Sequence, residues 1–195
     1  MRALVSAGAV VAIGLLSPVN ATQATSVTGT VTATGLRTNA DVVVSLQAPN
    51  LTVAPPAAPA VMDQRGMLFV PHVLVVVTGT TVRFLNSDPV AHNVFSPDGK
   101  YNLGTWPRGD TRDHTYTAPG VYVQLCRVHP EMEGYVVVLD TPYFAITDRA
   151  GAFKIANVPA GSYTLVAWSE KLKETRQAVT VEAGKPLTVN VALRR

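Results

Sequence analysis

The chain has 195 residues, 47% of them hydrophobic and only 15% charged, with a formal net charge of +3. So small a basic bias, without any basic run, argues against a nucleic-acid partner; recurrent Val, Thr, Gly and Pro, with no stretch rich in Ala, Leu, Glu and Lys, argue against a helical fold. A single cysteine excludes an internal disulfide, so the one thiol needs another explanation.

Arg2 is followed by a 14-residue apolar run, Ala3 to Leu16, closed by Ser17 and Pro18. Val19 and Ala21 bracket Asn20 as at a cleavage site, and Ala24 offers a second one. The run is short for a membrane span. Residues 1–24 are therefore expected to be a removable export signal, sending the protein to the periplasm or outside the cell with no membrane span after cleavage. Without Arg2, 15 basic side chains face 13 acidic ones, a net of +2. In an oxidising compartment a leftover thiol implies pairing between chains, burial or metal ligation.

From Ser26 the pattern is mostly of period two. "VTGTV" puts Val27, Gly29 and Val31 on one side, and "DVVVSL" does the same for Val42, Val44 and Leu46. "APNLTVAPPAAPA" carries Pro49, Pro55, Pro56 and Pro59, and residues 48–66 are expected to be an extended linker. A second strand-rich block covers residues 67–141. In it "TVRFLN" points Val82 and Phe84 inward, and "GVYVQLC", after a Pro119-Gly120 turn, puts Tyr122, Gln124 and Cys126 on one face. In the third block "FAITDRAGAFKI" turns at Asp148 to Gly151. There "VPAGSYTLVAW" aligns Tyr163, Leu165 and Ala167, and "AVTVEAGKPLTVNVAL" reads as a hairpin around Gly184. The one helical turn expected lies near Glu170 to Lys173. Short strands and turns at this spacing predict an all-β fold, an antiparallel sandwich or barrel.

The chemistry concentrates in "LCRVHPEMEG", Leu125 to Gly134, where Cys126, His129 and Met132 have the spacing C-x2-H-x2-M. On a loop leaving a strand, three such residues can curl around one point. A soft thiolate, an imidazole and a weak thioether together suit copper better than other common ions, and at the same donors Cu(II) outcompetes zinc. Such a site needs a second imidazole, and His92 in "NSDPVAHNVFS" is the candidate. His72 and His114 read as surface or structural residues, Met67 as packing, Trp106 and Trp168 as core or rim aromatics, and Asp88 as turn chemistry.

"FVPHVLVVVTGTTVRFLNSDPVAHNVFS" with "GVYVQLCRVHPEMEGYVVV" resembles the cupredoxins, the plastocyanin and amicyanin group, over about Met67 to Asp140. The short ligand loop with Pro130 after the histidine is most similar to amicyanin. The resemblance implies a Greek-key sandwich or barrel and one type 1 copper ion held by His92, Cys126, His129 and Met132. It also implies that Asn93 lies behind the ligands and ties the two ligand segments together. Two residues depart from the pattern: Arg127 stands where a small polar residue is common, and Gln124 where an apolar one is common. "FAITDRAGAFKIANVPAGSYTLVAW" resembles a carboxypeptidase regulatory-like, transthyretin-like sandwich, with "TGTV" and "DVVVSL" as its first two strands. Residues 26–47 and 142–195 are thus expected to form one smaller, discontinuous sandwich with the cupredoxin inserted.

The function expected is one-electron transfer to a redox partner protein that docks transiently near His129, on a patch of Pro89, Val90, Ala91 and Pro130. Copper delivery without redox turnover, or a structural sandwich module, are the alternatives. Catalysis is not expected: copper oxidases and nitrite reductases use H-x-H pairs, and the four histidines here form none.

Overall fold

The computed structural model describes residues 24–195, so the expected export signal lies outside the described residues apart from Ala24. The strands run β1 (Thr25–Ala33), β2 (Val43–Gln47), β3 (Ala60–Gln64), β4 (Phe69–Val70), β5 (Val73–Val77), β6 (Thr81–Asn86), β7 (His92–Ser96) and β8 (Tyr101–Trp106). They continue as β9 (Thr111–Thr115), β10 (Gly120–Leu125), β11 (Glu133–Leu139), β12 (Phe144–Ile146), β13 (Ala152–Val158), β14 (Gly161–Ser169), β15 (Leu172–Val181) and β16 (Leu187–Leu193). The described residues form no helix, and Glu170 and Lys171 make the tight turn between β14 and β15 where one helical turn was expected.

Four sheets pair into two layered units. The central unit packs a five-stranded sheet, β5-β11-β10-β7-β8, on a four-stranded one, β4-β3-β6-β9. Its core includes Met62, Phe69, Val82, Phe84, Val94, Trp106 and Tyr116. Val82 and Phe84 are fully buried between exposed or half-buried neighbours, as their alternation demands.

The flanking unit uses strands from both ends of the chain. β1 lies between β13 and β16, and β2 between β12 and β14. Between the two sheets, Val27, Val31, Val42, Val44, Leu46, Leu165 and Ala167 share one core. Gly29 faces it with no side chain to spare, since a Cβ there would collide with the carbonyl oxygen of Val189 on β16.

Two further sequence expectations change. Residues 60–64, expected within the linker, are β3, which pairs with both β4 and β6. Met62, Asp63 and Gln64 are all buried, so the strand shows no alternation to read. The stretch around Gly184 is not a hairpin ladder: β15 belongs to the sheet of β14, whereas β16 pairs in parallel with β1 in the opposite sheet. Alternation identifies both strands but does not say which sheet each joins.

Candidate metal centre

β7 and β10 are neighbours in the five-stranded sheet, with Leu125 opposite Phe95. His92 begins β7 and Cys126 follows β10, so the two meet at one end of adjacent strands. The loop after Cys126 turns back at once, with the Met132 N–H donating to the His129 carbonyl at 3.0 Å. The turn returns His129 to the thiol before Met132 leads into β11.

The ligand-capable atoms of His92, Cys126 and His129 all lie within 4.8 Å of one another. The His92 and His129 Nδ1 atoms are 2.9 Å apart, and Cys126 Sγ is 3.9 Å from His129 Nδ1. Metal–nitrogen bonds of about 2.0 Å and metal–sulfur bonds of about 2.3 Å leave room for one ion between such atoms, so the donor set fits a single metal. Cys126 and His92 are buried, and His129 is half-buried. Met132 is wholly buried in the same core cluster as Cys126.

The surrounding hydrogen bonds hold these donors in place. His92 Nε2–H donates to Asp88 Oδ2 at 2.9 Å, which leaves Nδ1 as the free lone pair and sets the ring's orientation. Asp88 also accepts the Gly66 N–H at 2.6 Å and the Met67 N–H at 2.9 Å. Burial works to raise the Asp88 pKa, but the Met67 and Gly66 amides and His92 outweigh it and hold the carboxyl below its ordinary value. The Asn93 N–H donates to Cys126 Sγ at 3.4 Å, and its side-chain oxygen accepts the Arg127 N–H at 3.3 Å. Its amide nitrogen donates to Asn102 Oδ1 at 2.8 Å and to the Gly104 carbonyl at 2.6 Å. Asn93 thus links the segment of His92 to the segment of Cys126.

Asp88 is the site residue that sequence reading assigned to a turn alone. The available signal was its position four residues before His92, but its contacts with Gly66 and Met67 depend on a loop more than twenty residues away. The remaining histidines stand apart. His72 lies at the exposed start of β5, and His114 stacks on Tyr101 with ring centroids 3.8 Å apart.

Solved cupredoxins are among the structures to which this chain is similar. The purple cupredoxin of Nitrosopumilus maritimus is 30% identical over 41% of this chain and 99% of its own, with a TM-score of 0.38. The chain belongs to the cupredoxins. A Cu(I) form of an amicyanin variant is 25% identical over 49% of this chain and 99% of its own, with a TM-score of 0.41. A copper-containing nitrite reductase from Thermus scotoductus is 24% identical over 56% of this chain and 28% of its own, with a TM-score of 0.41. The carboxypeptidase regulatory-like domain family matches residues 131–194, which takes in β11 of the cupredoxin unit as well as β12 to β16. No curated protein matches the chain. Among the described residues, no helix is long and apolar enough to cross a membrane.

Proposed function

We propose that this cupredoxin is an exported, periplasmic or extracellular one-electron carrier. On this reading a single type 1 copper ion is held by His92, Cys126, His129 and Met132, in a unit inserted between residues 26–47 and 142–195 of the sandwich. The observation that carries it is the convergence of two imidazole Nδ1 atoms and one thiol, two of the three side chains being buried. Bound there, copper supplies a Cu(I)/Cu(II) couple, and the thiolate–bis-imidazole set lies between the preferences of the two states. The chain's own residues do the rest. Asp88 and Asn93 fix ring and sulfur, which keeps rearrangement small when the charge changes.

Of the four proposed donors, His129 is the residue that is half-buried rather than buried. Around this end of the unit, Val90 and Val128 are exposed at 43% and 48%, with Pro89, Ala91 and Pro130 also exposed. Such an apolar rim around a half-exposed imidazole suits a partner that docks weakly and leaves quickly.

Voltammetry of the copper-loaded mature protein tests the role. The expected result is a reversible one-electron wave that is lost in Cys126→Ala. Copper transfer to an apoprotein acceptor, with no reversible wave, would instead favour delivery.

A further inference from the structure

The sandwich is packed against the cupredoxin unit as well as tethered to it. Val43 on β2 joins Val73, Val137 and Leu139 of the cupredoxin unit in a buried cluster, with Tyr135 and Trp168 packed at its edge. The Tyr135 ring meets Trp168 of β14 edge-on at 5.6 Å, and it also meets His72 edge-on at 5.6 Å. His72 Nε2 lies 2.9 Å from Glu170 Oε2 in the β14–β15 turn. The Tyr135 N–H donates to the His72 carbonyl at 2.8 Å. One residue earlier, a Cβ on Gly134 would lie 2.7 Å from the Phe69 Cβ, so the start of β11 presses directly on β4.

These contacts meet three residues after Met132, where the ligand loop re-enters the sheet. Two side chains of the sandwich therefore grip both segments, His72 and Tyr135, that fix the loop's downstream end. We propose that Trp168 and Glu170 are positioning residues for the loop from Cys126 to Met132, so that the sandwich sets the geometry of a site it does not touch. The consequence for copper rests on the ligand reading given above; the packing itself does not.

Amide hydrogen exchange on the metal-free mature protein separates the two. In Glu170→Ala and Trp168→Ala, the Tyr135 and Met132 amides are expected to exchange at least about ten-fold faster, as a local opening would give. The Phe84 amide, in the opposite sheet, should keep its rate. Glu170→Gln should restore protection, because its amide oxygen still accepts from His72 Nε2–H. Unchanged rates at Tyr135 and Met132 in Glu170→Ala would overturn the proposal, as would an equal acceleration at Phe84. If Trp168→Ala does not fold, Glu170→Ala decides alone. In the copper-loaded protein the same variants should shift the reduction potential. Failure to bind copper at all would contradict the ligand assignment and leave the exchange result standing.

Discussion

Asp88 takes hydrogen bonds from the Gly66 and Met67 N–H groups and from His92 Nε2, so one carboxylate joins two loops to the His92 ring. Asn86 steadies the same loop, donating to the Val90 and Trp106 carbonyls and accepting the Asp88 N–H. Replacing Asp88 by Asn keeps the shape and removes the charge that favours a cation beside the imidazole. Asp88→Asn should weaken copper retention by about 10- to 100-fold, read by competition with a chelator, whereas unchanged affinity would count against its role. Cys126, His129 and Met132 stand out in the sequence because they are close together and chemically unusual as a set. Asp88 does not, because an aspartate before a turn is commonplace and its partners come from a distant loop. Arg127, a departure from the family pattern, has its guanidinium 4.8 Å from the Phe95 ring centre, which accounts for its place on the surface beside the thiol.

On β10, Gln124 stands where an apolar residue is common, and it is completely buried. Its side-chain oxygen accepts the Tyr101 hydroxyl at 2.6 Å, Tyr101 and Tyr116 share a 2.6 Å hydrogen bond, and the Gln124 amide donates to the Tyr122 carbonyl at 2.9 Å. Strand alternation predicted the inward face of Tyr122, Gln124 and Cys126, but not that tyrosines from β8 and from the segment after β9 would make a glutamine welcome there. Burial pushes the pKa of Tyr101 up, as it does that of Tyr116, so both phenols stay neutral donors within the core. Gln124→Leu would leave the Tyr101 hydroxyl without its acceptor. It should cost about 1–3 kcal/mol in urea unfolding; a neutral or stabilising effect would show that the network adds nothing. β3 was invisible for the opposite reason. Proline-rich sequence precedes it, and Asp63 and Gln64 are buried side by side with no polar face between them.

For the whole molecule, the two-sandwich division could be read from turn spacing and from the two resemblances, yet their packing could not. Val42, Val44 and Leu46 alternate into the sandwich core, but Val43 is buried as well because the other face of β2 lies on the cupredoxin unit. At this joint, burial works to raise the Glu170 pKa, while hydrogen bonds from Lys171 and His72 prevail and hold it below its ordinary value of 4.5. A carboxylate with a depressed folded pKa stabilises above its unfolded value, and that contribution is lost as pH falls through the folded one. The thermal midpoint should therefore drop more steeply below pH 4.5 in the native chain than in Glu170→Gln, and parallel curves would refute the contribution. The central claim is that His92, Cys126 and His129 hold one copper ion through a thiolate. Its most direct test is the visible and paramagnetic-resonance spectrum of the protein loaded with Cu(II), beside a Cys126→Ala control. An intense thiolate-to-copper band, with a single copper per chain and no such band in the control, is the expected result. A colourless complex, or a band that survives loss of the cysteine, would contradict it.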